Sequence, residues 1–193
     1  MKSHGHGQAA IISEVDYVKI RKAIYLKKYK LLLDIARYTG ERWGAIVQLQ
    51  VGDVFNADGT PKTEITFRAQ TRKASPGGKR QTRSCPVHAS LVELLEAYPI
   101  PQGEWLFESR SRPGRPITLQ AADRKLRQAV EKAGLSHKGY STHSTRRTFI
   151  TTLHEKGCDI HTIQKLTGHH DLRSLVLYVD VSSERLQQAI SVL

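Results

Sequence analysis

The sequence lacks any apolar run close to the roughly 18 residues that a membrane-spanning helix requires. Its first ten residues are polar and contain no apolar signal-peptide core. It has only two cysteines, Cys85 and Cys158, too few and too far apart for a disulfide framework or a zinc site. These absences predict a reduced, cytoplasmic protein that has no membrane partner.

Acidic residues are scarce, with 18 Asp and Glu against 30 Lys and Arg and a net charge of +12. Such an excess on one small domain favours a polyanionic partner, and we expect double-stranded DNA and association with the nucleoid. The alternative is a generically basic protein. The basic residues cluster in Gly/Pro/Ser-rich stretches, which we expect to be loops that face the ligand. The predicted DNA contacts are Lys79, Arg80, Arg83, Arg110, Arg112, Arg115 and Arg147.

The periodicity predicts an α+β domain, mainly α-helical, with a small antiparallel three-stranded sheet. The predicted organisation is a flexible arm at 1–10 and a single domain at 11–193. The predicted helices span 13–27, 30–38, 42–49, 88–97, 119–133, 144–156, 159–166 and 182–190. The strands are expected at 63–67 and 80–87, with a further extended piece at 104–107.

The last third of the chain contains an ordered set of reactive side chains. His143 and Arg146 are followed by His169, and nine residues later by Tyr178. Arg42, in the upstream segment Thr39-Gly40-Glu41-Arg42, supplies a second guanidinium. The combination suits attack by a tyrosine hydroxyl on a phosphodiester.

That chemistry assigns a role to each side chain. Two arginines clamp the nonbridging oxygens, where negative charge grows in the transition state. Tyr178 forms the covalent phosphoryl link, His143 is the nearest plausible acceptor of its proton, and His169 hydrogen-bonds the phosphate. The leaving oxygen takes a proton from a lysine on a hairpin. The reaction requires neither a metal ion nor a cofactor.

Each residue taken alone also has an ordinary explanation. A tyrosine spaced behind two leucines is usually at the edge of a core, and an isolated His-x-x-Arg is common. A single arginine at a helix start is most often solvated. The ordered combination favours the catalytic interpretation.

The chain resembles the tyrosine recombinases, or phage integrases, through three blocks. The segment 143–149, HSTRRTF, is similar to the family's H-x-L-R-R-T-F block. Leu166-Thr-Gly-His169 through Tyr178 is similar to its L-G-H…Y block, and Thr39-Gly-Glu-Arg42 to its T-G-x-R block. The resemblance covers about residues 11–191 and implies a metal-independent and ATP-independent site-specific DNA recombinase.

The resemblance implies that Arg42 and Arg146 are the phosphate-clamping arginines and that Tyr178 forms a 3′-phosphotyrosine. His143 and His169 are then the paired histidines. Lys73 is the general acid on the hairpin, with Lys79 as its competitor. Two alternative functions remain, a DNA-binding regulator without turnover and a type IB topoisomerase-like DNA-relaxing enzyme.

The resemblance also implies an assembly of four protomers on two DNA duplexes, in which the terminal helix docks on a neighbour. Two departures from the family pattern stand out. Ala45 occupies the position, three after the first arginine, where an acidic residue is usual, so Glu41 is the candidate substitute. Most relatives also carry a separate N-terminal helical domain, whereas this chain begins directly with the catalytic domain, as a fragment or as a compact form.

Overall fold

The computed structural model describes residues 9–72, 78, 80–169, 172–176, 186–187 and 190–191. The helices are α1 (Glu14–Ala23), α2 (Lys27–Thr39), α3 (Trp43–Ile46), α4 (Ala89–Glu96), α5 (Leu119–Lys132), α6 (Thr142–Glu155), α7 (Ile160–Thr167) and α8 (Arg173–Val176). The strands are β1 (Glu64–Phe67), β2 (Arg83–Pro86), β3 (Glu108–Ser109) and β4 (Arg112–Pro116). The α+β class is confirmed.

Local capping determines several helix ends. The Ser13 side chain accepts the backbone N–H of Asp16 at the start of α1, and Asp159 accepts two backbone N–H groups at the start of α7. Gly40 ends α2 in the left-handed conformation. In α6, Ser141 and Ser144 form a reciprocal capping box, so the helix begins at Thr142, two residues earlier than predicted.

Strands β1 and β2 form the predicted hairpin. They pair antiparallel, with Ile65 opposite Cys85 and Phe67 opposite Arg83. Alternate side chains of both strands point inward, so Ile65, Phe67 and Cys85 are almost wholly buried. Arg83 is on the same inward face and is also buried.

The predicted three-stranded sheet is wrong in its strand count. The described residues contain two separate two-stranded sheets, β1–β2 and β3–β4. The predicted piece at 104–107 contributes only an isolated bridge from Trp105 to Gln50. The segment that carries Arg110, Arg112 and Arg115, predicted as a loop, instead forms β3 and β4. Across this hairpin, the Gly114 N–H donates to the Glu108 carboxylate at 2.6 Å. Gly and Pro hide the strand pattern there.

The core has two parts. A large cluster joins α1–α5 to the β1–β2 sheet, and it includes Leu32, Ile46 and Leu126. A smaller cluster of Ile150, Ile163 and Leu175 packs α6, α7 and α8 together. The reactive residues on α6 therefore lie where the two clusters meet.

The segment before α1 is attached to α6. The Arg147 guanidinium donates to the Ala9 carbonyl at 2.9 Å, and the Ile12 N–H donates to the Thr148 hydroxyl at 2.8 Å. Ala9 and Ile12 are therefore both hydrogen-bonded to side chains of α6. Within the described ranges, every helix is too short or too polar to cross a bilayer.

Candidate active site

Arg146 is the most constrained side chain of the site. It is 4% exposed, and its Nη1 and Nη2 donate to the carbonyls of Gly40 and Thr167 at 2.8 and 2.9 Å. Those carbonyls lie at the C-terminal ends of α2 and α7, where helix dipoles favour a cation. The α6 backbone, the end of α2 and the end of α7 together fix this guanidinium.

The two helix ends are built alike. Each consists of a threonine and a left-handed glycine, Thr39-Gly40 with φ +59° and Thr167-Gly168 with φ +63°. Each threonine hydroxyl donates to the carbonyl four residues earlier, at 2.7 Å in both cases. A Cβ on Gly40 would lie 2.3 Å from the Phe149 ring, so the close approach requires glycine.

Glu41 is the acidic centre of the site. Its carboxylate is 1% exposed and lies 3.0 Å from the Arg83 guanidinium and 3.3 Å from that of Arg72. It also accepts the backbone N–H of Arg42 at 2.8 Å, and lies 3.8 Å from Arg146. Burial raises the pKa of the carboxyl, but the guanidiniums and the accepted backbone N–H outweigh it, and the net pKa lies below its ordinary value.

These groups line one side of an open cavity of about 360 Å³. Its walls include Arg42, Arg72, Arg146 and His143, together with Glu41. Among the described lining residues, the guanidiniums outnumber the Glu41 carboxylate, so this wall has an excess of positive charge. Such a wall favours an anion with several oxygen acceptors.

His169 lies against Arg146. Arg146 Nη2 is 3.0 Å from His169 Nε2 and 3.2 Å from Nδ1, and the Thr167 hydroxyl is 2.6 Å from Nδ1. Burial, followed by the charges of Arg146 and of the neighbouring Arg42, lowers the pKa of His169 to about 3. The ring is therefore neutral at physiological pH.

His143 differs from His169 in its surroundings. It lies in the first turn of α6, is exposed to solvent, and borders the cavity. The structure thus brings four of the predicted catalytic residues, Arg42, His143, Arg146 and His169, to one region. Arg42 is half-buried, immediately before α3.

Ala45 is buried and also borders the cavity. Its methyl group cannot accept a hydrogen bond, so Ala45 cannot do what an acidic residue at this position would do. The carboxylate of this region belongs to Glu41. Glu41 reaches Arg42 only through the backbone N–H, while its side-chain ion pairs are with Arg72, Arg83 and Arg146. Glu41, the predicted substitute, is therefore present, but its carboxylate forms ion pairs with arginines other than Arg42.

Three predicted residues, Tyr178, Lys73 and Lys79, lie outside the described residues. Described residues lie close to Tyr178 and Lys73 in the sequence. Leu175, three residues before Tyr178, is fully buried against α6 and α7. Arg72, directly before Lys73, pairs with Glu41 and donates to the Gln81 carbonyl at 2.9 Å.

The predicted DNA contacts divide into two groups. Arg80, Arg110, Arg112 and Arg115 are exposed, and Arg80 borders the cavity. Arg83 does not fit the prediction, because its side chain is 6% exposed, is paired with Glu41 and lies over the Phe67 ring. The inward face of β2 carries it into the core. Arg147 is half-buried and bonded to the Ala9 carbonyl.

Sequence reasoning missed the parts played by Arg72 and Thr167. In the sequence, Arg72 is one of several basic residues in a cluster. In the structure, its guanidinium packs against Gly168. Thr167 directly precedes a helix-ending glycine, which was a visible sign of a buried back-bonded hydroxyl. Among the described residues, no group of three or more His, Cys, Asp or Glu side chains is placed to hold a metal ion.

Comparison with known proteins adds family and fold. Residues 10–185 match the sequence pattern of the phage integrase family. A tyrosine recombinase XerD of Corynebacterium glutamicum is 27% identical over 180 residues, which are 93% of this chain and 57% of that protein. The chain thus spans little more than half the length of this curated relative.

Two solved structures show the fold. The Tn1549 transposon integrase, in complex with transposon right end DNA, superposes with a TM-score of 0.75 at 16% identity, covering 100% of this chain and 68% of that one. The catalytic domain of bacteriophage HP1 integrase superposes with a TM-score of 0.66 at 19% identity, covering 95% of each chain. The fold is that of a tyrosine recombinase catalytic domain.

Proposed function

The chain belongs to the phage integrase family, and on that premise we propose that it is the catalytic domain of a site-specific DNA recombinase. It cleaves and rejoins DNA strands through a covalent 3′-phosphotyrosine. The observation that carries the proposal is the convergence of Arg42, Arg146, His143 and His169 on one positively charged region. A bound phosphodiester would supply the negative charge that this region lacks.

The guanidiniums perform the electrostatic part of the reaction. The transition state places extra charge on the nonbridging phosphate oxygens, and Arg42 and Arg146 clamp those oxygens. Arg146 enters the reaction already oriented, because backbone carbonyls of Gly40 and Thr167 hold it. Donors that are oriented beforehand need no reorganisation during the chemical step.

The covalent step assigns Tyr178 as nucleophile. Its hydroxyl oxygen bonds to phosphorus, the bond from phosphorus to the 5′ oxygen breaks, and the Tyr178 proton passes to His143. The leaving 5′ oxygen takes a proton from Lys73, or from Lys79 as its competitor. In the reverse direction, a 5′ hydroxyl of a partner duplex attacks the phosphotyrosine and releases Tyr178.

The energy of the phosphodiester is retained in the phosphotyrosine link, so strand exchange needs no ATP. Metal ions are also dispensable, because fixed guanidiniums neutralise the developing charge. We further propose that four protomers assemble on two duplexes. The exposed apolar side chains of Leu186 and Ile190, near the C-terminus, support docking of this segment on a neighbouring protomer.

Exposed arginines extend the proposed DNA contact beyond the cavity. Arg110, Arg112 and Arg115 on the β3–β4 hairpin and Arg80 beside the cavity are available to backbone phosphates. Such contacts position a duplex without reading its sequence. The Tn1549 relative was solved with transposon right end DNA, which supports DNA as the partner here.

The experiment is an adduct assay on a nicked suicide substrate. Wild-type protein is expected to give an SDS-resistant protein–DNA band in EDTA, and Tyr178→Phe to give none while it still binds DNA. Arg146→Ala should reduce adduct formation by about 100-fold or more, because it removes a transition-state donor.

Other outcomes of the same assay identify the alternatives. Binding without any adduct in wild type would favour a DNA-binding regulator. Supercoil relaxation without site preference would favour a topoisomerase-like enzyme. An adduct that persists in Tyr178→Phe would overturn the assignment of the nucleophile.

A further inference from the structure

We infer that Thr167 is a positioning residue for His169. It fixes the imidazole as the tautomer protonated at Nδ1, so that Nε2 is the ring nitrogen that can accept a hydrogen bond from Arg146. The catalytic meaning of this arrangement rests on the proposed function. The tautomer itself is a property of the free protein and is tested separately.

The Thr167 hydroxyl has one hydrogen and can also accept. Its oxygen lies 2.7 Å from the Ile163 carbonyl oxygen, which can only accept, so the hydroxyl hydrogen points there. The same oxygen lies 2.6 Å from His169 Nδ1. With its hydrogen already used, the hydroxyl accepts, and Nδ1 is the nitrogen that donates.

The Arg146 side is compatible with the same assignment. The Nη2 group has two hydrogens, and one of them donates to the Thr167 carbonyl at 2.9 Å. Nη2 also lies 3.0 Å from His169 Nε2 and 3.2 Å from Nδ1, and a guanidinium can never accept. Since Nδ1 is engaged with the Thr167 hydroxyl, the ring nitrogen that receives the second hydrogen is Nε2, which has a lone pair in the Nδ1-protonated tautomer.

The opposite tautomer would place two acceptors face to face. The Nδ1 lone pair would meet the Thr167 oxygen at 2.6 Å, unless the Thr167 hydroxyl left Ile163 to donate to Nδ1. The doubly protonated ring would add a positive charge to an already cationic wall. Burial and the charges of the guanidiniums around the ring place the pKa of His169 at about 3. These guanidiniums belong to Arg146, Arg42, Arg83 and Arg72.

The consequence is a chain of three groups in which each fixes the next. Thr167 is fully buried and is fixed by helix α7, His169 is fixed by Thr167, and Arg146 Nη2 is fixed by His169 and by the Thr167 carbonyl. Thr167 therefore restrains the Arg146 guanidinium by two routes. The first is its backbone carbonyl, and the second is its hydroxyl, which acts through the His169 ring. Valine, which has the same shape without the hydroxyl, removes only the second route.

The direct test is ¹⁵N-edited NMR of the histidine side chains in the full chain. The His169 signals are identified by their loss in His169→Gln. In wild type we expect a neutral ring protonated at Nδ1 from pH 8 down to pH 5. In Thr167→Val we expect a mixed tautomer or broadened signals, and in Thr167→Ser the wild-type pattern.

Thr39→Val is the matched control. Thr39 is also fully buried, precedes a left-handed glycine and donates to the carbonyl four residues earlier, but it belongs to the other helix end. We expect Thr39→Val to lower stability by a similar amount while it leaves the His169 signals unchanged. Wild-type His169 protonated at Nε2 or doubly protonated at pH 7, or identical His169 signals in Thr167→Val and wild type, would overturn the inference.

The catalytic meaning has its own readout. Under the proposed function, Thr167→Val should slow adduct formation by about 10-fold to 100-fold, because small misplacements of a catalytic group have effects of that size. Thr167→Ser should remain within about 3-fold of wild type, since it keeps the hydroxyl. If the NMR signals of all variants are as expected but Thr167→Val forms adducts as fast as wild type, the tautomer is fixed by Thr167 and is unimportant for cleavage. If wild type forms no adduct at all, the proposed function fails while the NMR result still decides the tautomer.

Discussion

Arg146 and Gly40 are separated by 106 residues, yet the Arg146 guanidinium donates to the Gly40 carbonyl at 2.8 Å. The contact is possible because the left-handed turn at Gly40 ends α2 and leaves its last carbonyls free of helical partners. The Phe149 ring, on the same helix as Arg146, closes over the glycine. The position of the Arg146 guanidinium therefore depends on a residue that has no side chain, Gly40.

This dependence predicts that Gly40→Ala is strongly destabilising. The new methyl would meet the Phe149 ring at 2.3 Å, and the left-handed backbone adds its own cost of about 1–2 kcal/mol. Gly139→Ala is the control, because Gly139 has φ +67° and open space around it. We expect urea unfolding to show an extra loss of about 1–3 kcal/mol at Gly40. Equal losses at both positions would mean that Phe149 moves aside without cost.

Glu41→Gln should be among the most damaging single changes. It removes a buried carboxylate that pairs with the Arg72, Arg83 and Arg146 guanidiniums, and breaking a buried ion pair costs about 3–5 kcal/mol. Glu14→Gln is the control, since Glu14 is 68% exposed and pairs with Arg37 at the surface, where such pairs contribute about 1 kcal/mol or less. Thermal unfolding of both variants provides the measurement. A loss at Glu41 no larger than at Glu14 would contradict the role assigned to this carboxylate.

Asp16 should make the domain sensitive to acid. Its buried carboxylate accepts from the Lys138 ammonium at 2.5 Å and from the Tyr140 hydroxyl at 2.6 Å, which hold its pKa at about 2 against an ordinary 3.8. Because the folded-state pKa is depressed, the contribution of Asp16 is complete above about pH 4 and is lost as the pH falls through 2. Asp16→Asn should lose about 1.5–3 kcal/mol at pH 7.

Urea unfolding between pH 7 and pH 2 measures both effects. Asp16→Asn should show a flatter decline of stability below pH 4 than wild type. Asp123→Asn, which changes a partly exposed carboxylate paired with Arg127 on α5, is the control and should keep the wild-type slope. Parallel slopes for wild type and Asp16→Asn would argue against the depressed pKa.

The β3–β4 hairpin should contribute to DNA affinity rather than to the chemical step. Replacing Arg112 and Arg115 together by alanine should lower the salt dependence of binding, by about 0.9 in the log–log slope for each phosphate contact removed. The rate of adduct formation at saturating DNA should stay near the wild-type value. Lys19→Ala, which removes one positive charge from the exposed face of α1, is the control and should leave the slope unchanged. An unaltered slope in the hairpin variant would place its arginines away from DNA.

The sequence predicted the helices well where their ends are determined locally. Ser13, Gly40 and Asp159 carry capping signals that act within a few residues, and each lies at the helix end predicted from it. The β3–β4 hairpin was missed because Gly and Pro conceal the alternation of its strands. A hydrogen bond from the Gly114 N–H to the Glu108 carboxylate links its two strands, and no local pattern shows that contact.

The site was predictable in its residue types and not in its supporting contacts. Arg42, His143, Arg146 and His169 were recognisable from order and spacing, and the structure brings them to one region. The burial of Arg83 was not predictable, because its partner Glu41 lies 42 residues away on another element. The contacts of Arg72 and Thr167 likewise arise only after α2, β2 and α7 have packed.

The carbonyl clamp on Arg146 has an entropic consequence. An arginine side chain that is free in solution loses about 2 kcal/mol of rotamer entropy when it is fixed in one conformation. Here that loss occurs once, during folding, because Gly40 and Thr167 already restrict the guanidinium. Each encounter with a ligand then begins with an immobile donor, and little of the association free energy is consumed in ordering it.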